Sequence, residues 1–214
     1  MLTFTKKLKL LKKDLLKGNC HFIAITGEND FLAHLLSCEI RDIFNDLLIP
    51  VFPIEAQNET EENFYQKFSE IDLFQDRTAY FLTGSEQNQQ ITKWLNRLEK
   101  QALQGNPLVL FHKKAVLTQA LKKELSRLKA FELSCKEVKR PDAEELILYF
   151  CDKNKVSFEQ NAFRYFFERI KNNLPKALNE IEKISFITKK YERKVTLCEV
   201  KKYLETKEEK ETFL

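Results

Sequence analysis

The chain has 214 residues, 43% of them hydrophobic and 32% charged, with a mean hydropathy of −0.44. That suits one large or two small globular domains. Only 4 Gly and 5 Pro occur, which excludes collagen-like, linker-like and Gly-rich turn-dense β architectures, and no apolar run approaches the roughly 18 residues of a membrane span. The net charge of +4 is too small for a dedicated nucleic-acid binder, and it is local: residues 1–18 carry Lys6, Lys7, Lys9, Lys12, Lys13 and Lys17 against Asp14 alone.

In chain order, Leu2-Phe4 reads as a short strand. Thr5 then caps a helix with Leu8, Leu11 and Leu15 on one face, ended by Gly18. Its lysine-rich side has two readings, a solvated face or a contact with membrane or nucleic acid. It is not a secretory signal, because Leu alternates with Lys and no apolar core forms. His21 to Thr26 is an apolar strand of the kind buried on both faces. Gly27-Glu28-Asn29-Asp30 is the turn, with Asp30 as cap for a helix from Phe31 to Phe44. Strands follow at Val51-Ile54, Thr78-Leu82, Pro107-Phe111 and Ala130-Leu133. Helices alternate with them at Glu61-Phe68, Gln89-Leu103 and Leu117-Leu128, and Ile91, Trp94, Leu95 and Leu98 point inward from the second of these. Alternation of apolar strands with amphipathic helices predicts a five-stranded parallel sheet covered on both sides.

The texture changes near Pro141, after which strands vanish. Helices are expected at Ala143-Cys151, at Phe158-Ile170 with Phe163, Phe166 and Ile170 on one face, and at Leu197-Leu204. Between the last two, Asn173 caps a helix that carries Pro175 in its first turn and a stripe of Leu174, Leu178, Ile181 and Ile184. The reading is an α/β domain over residues 1–140 and a small helical domain over 141–214.

The five Cys, at 20, 38, 135, 151 and 198, are odd in number and dispersed, which fits reduced thiols in a cytoplasmic protein. Cys20-His21 with His34 and Cys38 superficially matches zinc-ligand spacing. Neighbours in a strand point to opposite faces, however, so no metal site is expected. A phosphate-binding loop needs several Gly for close backbone approach, a Lys for the outer phosphates and a Ser or Thr for magnesium. The turn at residues 27–30 offers one Gly, no Lys and the acids Glu28 and Asp30, and the strand at Thr78-Leu82 runs into Thr83-Gly84-Ser85 without a magnesium carboxylate. No G-x-S-x-G occurs and none of His21, His34 and His112 has a Ser/His/Asp-like context in sequence, so no catalytic residue, cofactor or intrinsic enzymatic activity is expected.

Ile71-Asp72-Leu73-Phe74 falls between a short helix and the third strand, in a stretch too short for an element of its own. Large apolar groups in a connection either tuck under the sheet or project to enter a partner's pocket. The loop Ile71-Asp72-Leu73-Phe74 with Arg77, the strand and degenerate turn His21 to Asp30, the segment Asn106 to Lys114 and the helix Leu174 to Ile184 stand together, in this order and spacing. As a set, they make the chain resemble the delta subunit of the bacterial DNA polymerase III clamp loader. The resemblance covers nearly the whole chain. It implies an AAA+-like α/β domain without a functional phosphate loop, followed by an all-α lid. It implies a non-catalytic subunit that binds and opens the beta sliding clamp in DNA replication, with Leu73 and Phe74 entering the clamp's hydrophobic pocket and Ile71, in place of a typical Met, as a third anchor. It also implies sister loader subunits as partners, indirect contact with DNA, and no membrane. The family's third helical domain, its collar, begins near the point where this sequence ends, so joining to sister subunits is expected to be weakened. The alternatives are another AAA+-type loader subunit, which by resemblance carries a four-cysteine zinc module not matched here, or a nucleotide-dependent switch.

Overall fold

The computed structural model describes residues 4–69, 77–98, 103, 106–114, 116–136, 138–170, 173–188 and 193–211. Its strands are β1 (Phe22–Thr26), β2 (Val51–Glu55), β3 (Ala79–Thr83), β4 (Leu108–His112) and β5 (Phe131–Ser134), in one sheet of order β2-β3-β4-β1-β5 in which every pairing is parallel. Between them run α1 (Phe4–Leu16), α2 (Asp30–Asp46), α3 (Glu61–Ser69), α4 (Ile91–Arg97) and α5 (Gln119–Arg127). After the sheet come α6 (Arg140–Lys153), α7 (Gln160–Ile170), α8 (Leu174–Thr188) and α9 (Leu197–Glu211). The fold is the expected α/β class, and the central strands β1 and β4 are apolar because helices cover both faces.

On one face Phe22, Ala24, Leu108 and Leu110 pack with Phe64, Trp94, Leu95, Leu121 and Leu125, and the Phe64 and Trp94 rings stack at 5.2 Å. On the other, Phe81 meets Phe44 and Phe111 at 6.1 and 5.6 Å between ring centroids, with the Arg41 guanidinium 4.5 Å from the Phe81 centroid. The Cys20, Cys135 and Cys151 thiols lie in such apolar surroundings, and burial pushes each up to about 12. They are inert neutral thiols at neutral pH.

Helix ends follow their cap chemistry. The α2 cap is Asn29, whose side chain accepts from Leu32 N–H at 3.0 Å, and not Asp30, which is the first helical residue. Both residues are good caps in isolation, so residue type alone does not decide between them. Thr5 does not cap α1. It lies inside the helix, and its hydroxyl donates to Glu145 Oε1. The strand expected at Leu2-Phe4 is not formed at Phe4, which opens α1. The remainder of that expectation lies outside the described residues. Helices α1, α2, α5 and α6 end with left-handed residues Gly18, Leu48, Lys129 and Lys155. In each the next N–H bonds back five residues, as in Asn19 to Asp14 and Ile49 to Phe44. The helix expected over Gln89-Leu103 is interrupted: Leu98 turns to extended backbone with ψ 123°.

The chain divides into two compact units, Lys6–Glu137 and Val138–Leu214, the latter with Met1–Thr5. In the helical unit Asn173 caps α8 as expected, accepting from Lys176 N–H at 3.1 Å. Thr196 and Glu199 form a reciprocal capping box at α9: the Glu199 carboxylate accepts from Thr196 N–H at 2.9 Å while Thr196 Oγ1 accepts from Glu199 N–H at 3.4 Å. Arg193 completes the cluster, and its bond together with those from Thr196 holds the Glu199 carboxyl down to about 2.

Because the folded value lies below the ordinary 4.5, this group stabilises the fold above about pH 4.5, and the contribution is lost as pH falls toward 2. Thermal melts from pH 6 to 2 should therefore show a steeper acid loss for the parent chain than for Glu199→Gln, whose Tm is lower at pH 6 and converges with the parent's at pH 2.

Candidate functional site

Two places bear on function: the turn after β1, where a nucleotide-binding fold holds phosphate, and the connection entering β3, where the sequence places Ile71, Leu73 and Phe74.

The turn is short. Gly27, Glu28 and Asn29 alone join β1 to α2, against the roughly eight-residue loop that encloses phosphates. Two of its three backbone donors are also spent. Gly27 N–H bonds His112 O at 3.1 Å, Asn29 N–H bonds Cys135 O at 3.1 Å, and the Asn29 side chain takes Leu32 N–H. Gly27 has φ +127°, and a Cβ there would lie 2.4 Å from the Cys135 carbonyl oxygen. The turn is thus clamped onto the residue that leaves β5. At the mouth, Lys113 pairs with Asp30 at 2.8 Å, and that carboxylate raises the Lys113 ammonium above its ordinary value. An incoming phosphate would find the Gly27 and Asn29 backbone N–H groups already bonded within the chain and would meet the carboxylates of Glu28 and Asp30.

Behind the turn, Ser85 Oγ lies 2.9 Å from His112 Nδ1, a neighbourhood that sequence spacing did not reveal because 27 residues separate the two. It does not make a nucleophile. The hydroxyl proton goes to Phe111 O at 2.6 Å, so the oxygen is left to accept from the imidazole, and both residues are buried. Desolvation lowers His112 below its ordinary value.

Ile71, Leu73 and Phe74 lie outside the described residues; their setting is described on both sides. Phe68, at the end of α3, is buried against Phe64 and Tyr80 at 5.1 and 5.2 Å between ring centroids. At the far end Thr78 and Ala79 are buried at the entry to β3. One side chain joins the two ends: Asn106 Oδ1 accepts Thr78 N–H at 3.1 Å while its Nδ2 donates to Lys67 O at 3.1 Å. A single amide therefore fixes where the chain leaves α3 and where it re-enters the sheet. Beside it, Arg77 Nε and His21 Nδ1 are buried without a hydrogen-bond partner, and desolvation, with the nearby Arg77 charge, lowers the His21 imidazole. Asn106 opened one of the sequence segments used for the resemblance, yet nothing in its spacing reveals the bridge.

Among the described residues no three His, Cys, Asp or Glu side chains converge as metal ligands. His34 and Cys38 approach to 3.7 Å on the exposed face of α2, while Cys20 is buried with its sulfur toward Phe22 O. Among the described residues no helix is long and apolar enough to cross a membrane.

No protein-family profile and no curated protein matches the chain. Solved structures do. The Bacillus subtilis DNA clamp loader delta protein (YqeN) is similar with a TM-score of 0.63, covering 91% of this chain and 61% of that one at 15% identity. The Thermotoga maritima RuvB Holliday junction branch migration motor is similar with a TM-score of 0.54, covering 94% and 67% at 15% identity. The chain spans about 61% of the delta protein's length. The likeness is one of fold: a parallel α/β sheet with a following helical unit, in an AAA+-like arrangement.

Both anchoring points of the frame can be tested by substitution. Gly27→Ala forces a Cβ into the Cys135 carbonyl and should cost at least about 2 kcal/mol in denaturant unfolding. Asn106→Ala strands a part-buried N–H and a carbonyl and should cost about 2 kcal/mol, with amide exchange at Thr78 accelerated by more than tenfold while exchange in β1 and β4 changes only by the global loss.

Proposed function

We propose that the chain is a non-catalytic clamp-loader subunit of the delta kind, which binds the ring-shaped sliding clamp and favours its open form during DNA replication. The observation that carries this reading is the sealed β1–α2 turn of an AAA+-like fold: three residues long, with the Gly27 and Asn29 N–H groups bonded to the chain's own carbonyls. A scaffold of that shape whose turn lacks the loop, lysine and free backbone donors of a phosphate site is suited to docking, not hydrolysis, and on this reading the chain is not itself an enzyme. In this proposal residues 1–140 form the clamp-binding domain and 141–214 a helical lid.

The docking groups are Ile71, Leu73 and Phe74. Burying each contributes roughly 1.5–3 kcal/mol, and two or three such anchors leave a usable affinity after the cost of association. The Asn106 bridge supports the reading, because an anchor segment held at both ends loses less freedom on binding. Opening then needs no chemistry. A subunit that binds one side of a ring interface better in the sprung state than in the closed one shifts the ring toward the sprung state by that difference. The partners are the beta sliding clamp and sister loader subunits, in the cytoplasm.

Surface plasmon resonance on an immobilised bacterial sliding clamp tests this. The parent chain should bind, and Leu73→Ala with Phe74→Ala should weaken binding by 100-fold or more at unchanged Tm. Unchanged affinity in the folded double variant would overturn the assignment. Heat of ATP binding to the parent chain in calorimetry would turn the reading toward a nucleotide switch.

A further inference from the structure

The lysines at the start of the chain are distributed unevenly around α1. Leu8, Leu11 and Leu15 are buried at 4%, 0% and 2% exposure and tie the helix to the α/β unit. On the flanks Lys7 donates to Glu132 O at 3.2 Å and Lys12 pairs with Asp46 at 2.6 Å. The outward face carries Lys6, Lys9, Lys13 and Lys17, all exposed and with no hydrogen-bond or ion-pair partner among the described residues. Spacings of three, four and four residues place these four ammoniums on one stripe about 16 Å long.

The stripe costs the helix stability. Like charges three and four residues apart repel. Lys6 and Lys7 also stand in the first turn, at the positive end of the helix dipole, and that turn holds no acid to balance them. A local arrangement that opposes the fold without gain in the folded chain marks a surface held for a partner. The partner must be a polyanion. An anionic bilayer is disfavoured, because surface helices bind membranes by inserting an apolar face, and the apolar face here is already in the core. The exposed Leu10 and Leu16 are six residues apart and flank the stripe on opposite sides, so they form no inserting edge. A linear row of point charges without Arg, Asn or Gln suits phosphates and not base edges.

We propose that the outward face of α1, through Lys6, Lys9, Lys13 and Lys17, binds the phosphodiester backbone of duplex DNA without sequence preference. The inference stands apart from the clamp reading, since it uses another element and another chemistry, and it makes the DNA contact direct where the sequence resemblance implied an indirect one.

Fluorescence anisotropy with a labelled 30-base-pair duplex of arbitrary sequence tests it on the full chain. Binding should weaken about 100-fold between 50 and 200 mM salt, a log–log slope between −3 and −4. Lys9→Gln, Lys13→Gln and Lys17→Gln together should lower affinity at least tenfold and bring the slope near −1, with Tm equal or higher because the repulsion is relieved. Arg at the same three positions should retain binding. Lys122→Gln, Lys123→Gln and Lys129→Gln, which remove the same charge from another exposed face, should change affinity less than twofold. No binding at 50 mM salt, an equal loss in that second triple variant, or flotation on phosphatidylglycerol vesicles without duplex binding would overturn the proposal.

Discussion

The carbonyl of Cys135 decides what this fold can hold. It accepts Asn29 N–H and occupies the space where any side chain at position 27 would begin. Parallel sheets present ligand sites at the carboxyl ends of their strands, where helix N-termini supply unpaired N–H groups. Here the carboxyl end of β1 is closed instead. His112 takes one donor, Cys135 a second and the Asn29 side chain a third. The turn at that end is three residues long and held by the chain's own main chain and the Asn29 side chain. Because the closure is made of main chain, exchanging one surface residue does not reopen it.

The strands and helices of the α/β region are legible because both periods are strong and unmixed. Apolar runs such as Phe22–Thr26 have only one use in a chain this poor in Gly and Pro, and the helices between them carry Leu and Phe at three- and four-residue spacing. Errors cluster where two local solutions have similar free energy. Asn29 and Asp30 are both cap residues, and Thr5 has a cap's chemistry but finds Glu145 instead. The helix after Gln90 stops at Arg97, although inward-facing apolar residues continue to Leu98.

Contacts between residues distant in sequence were not legible. Glu124 is an ordinary helix-surface acid in sequence, yet it is buried, where desolvation opposes its charge and bonds from Asn96 and Arg127 hold the carboxyl below its ordinary value. Asn106 looks like a loop residue before a proline, and its bridge between Lys67 and Thr78 exists only once α3 and β3 lie side by side. Ser85 and His112 meet for the same reason. For the candidate site, the sequence supplied the apolar residues and their position in the chain, while the anchoring of the connection's two ends required the tertiary structure.

The geometry of the sheet separates the two places that bear on function. The connection that carries Ile71, Leu73 and Phe74 enters β3 at its amino end, whereas the sealed turn leaves β1 at its carboxyl end. In a parallel sheet all amino ends lie on one edge, so a strand of five residues, about 16 Å, stands between the two. The apolar strands β1 and β4 stand between the sealed turn and the entry to β3, packed as tightly as a protein core. A nucleotide-driven subunit needs coupling across that distance. On the proposed clamp-binding reading the entry to β3 must be held still, and the Asn106 amide ties it to α3 through Thr78 and Lys67.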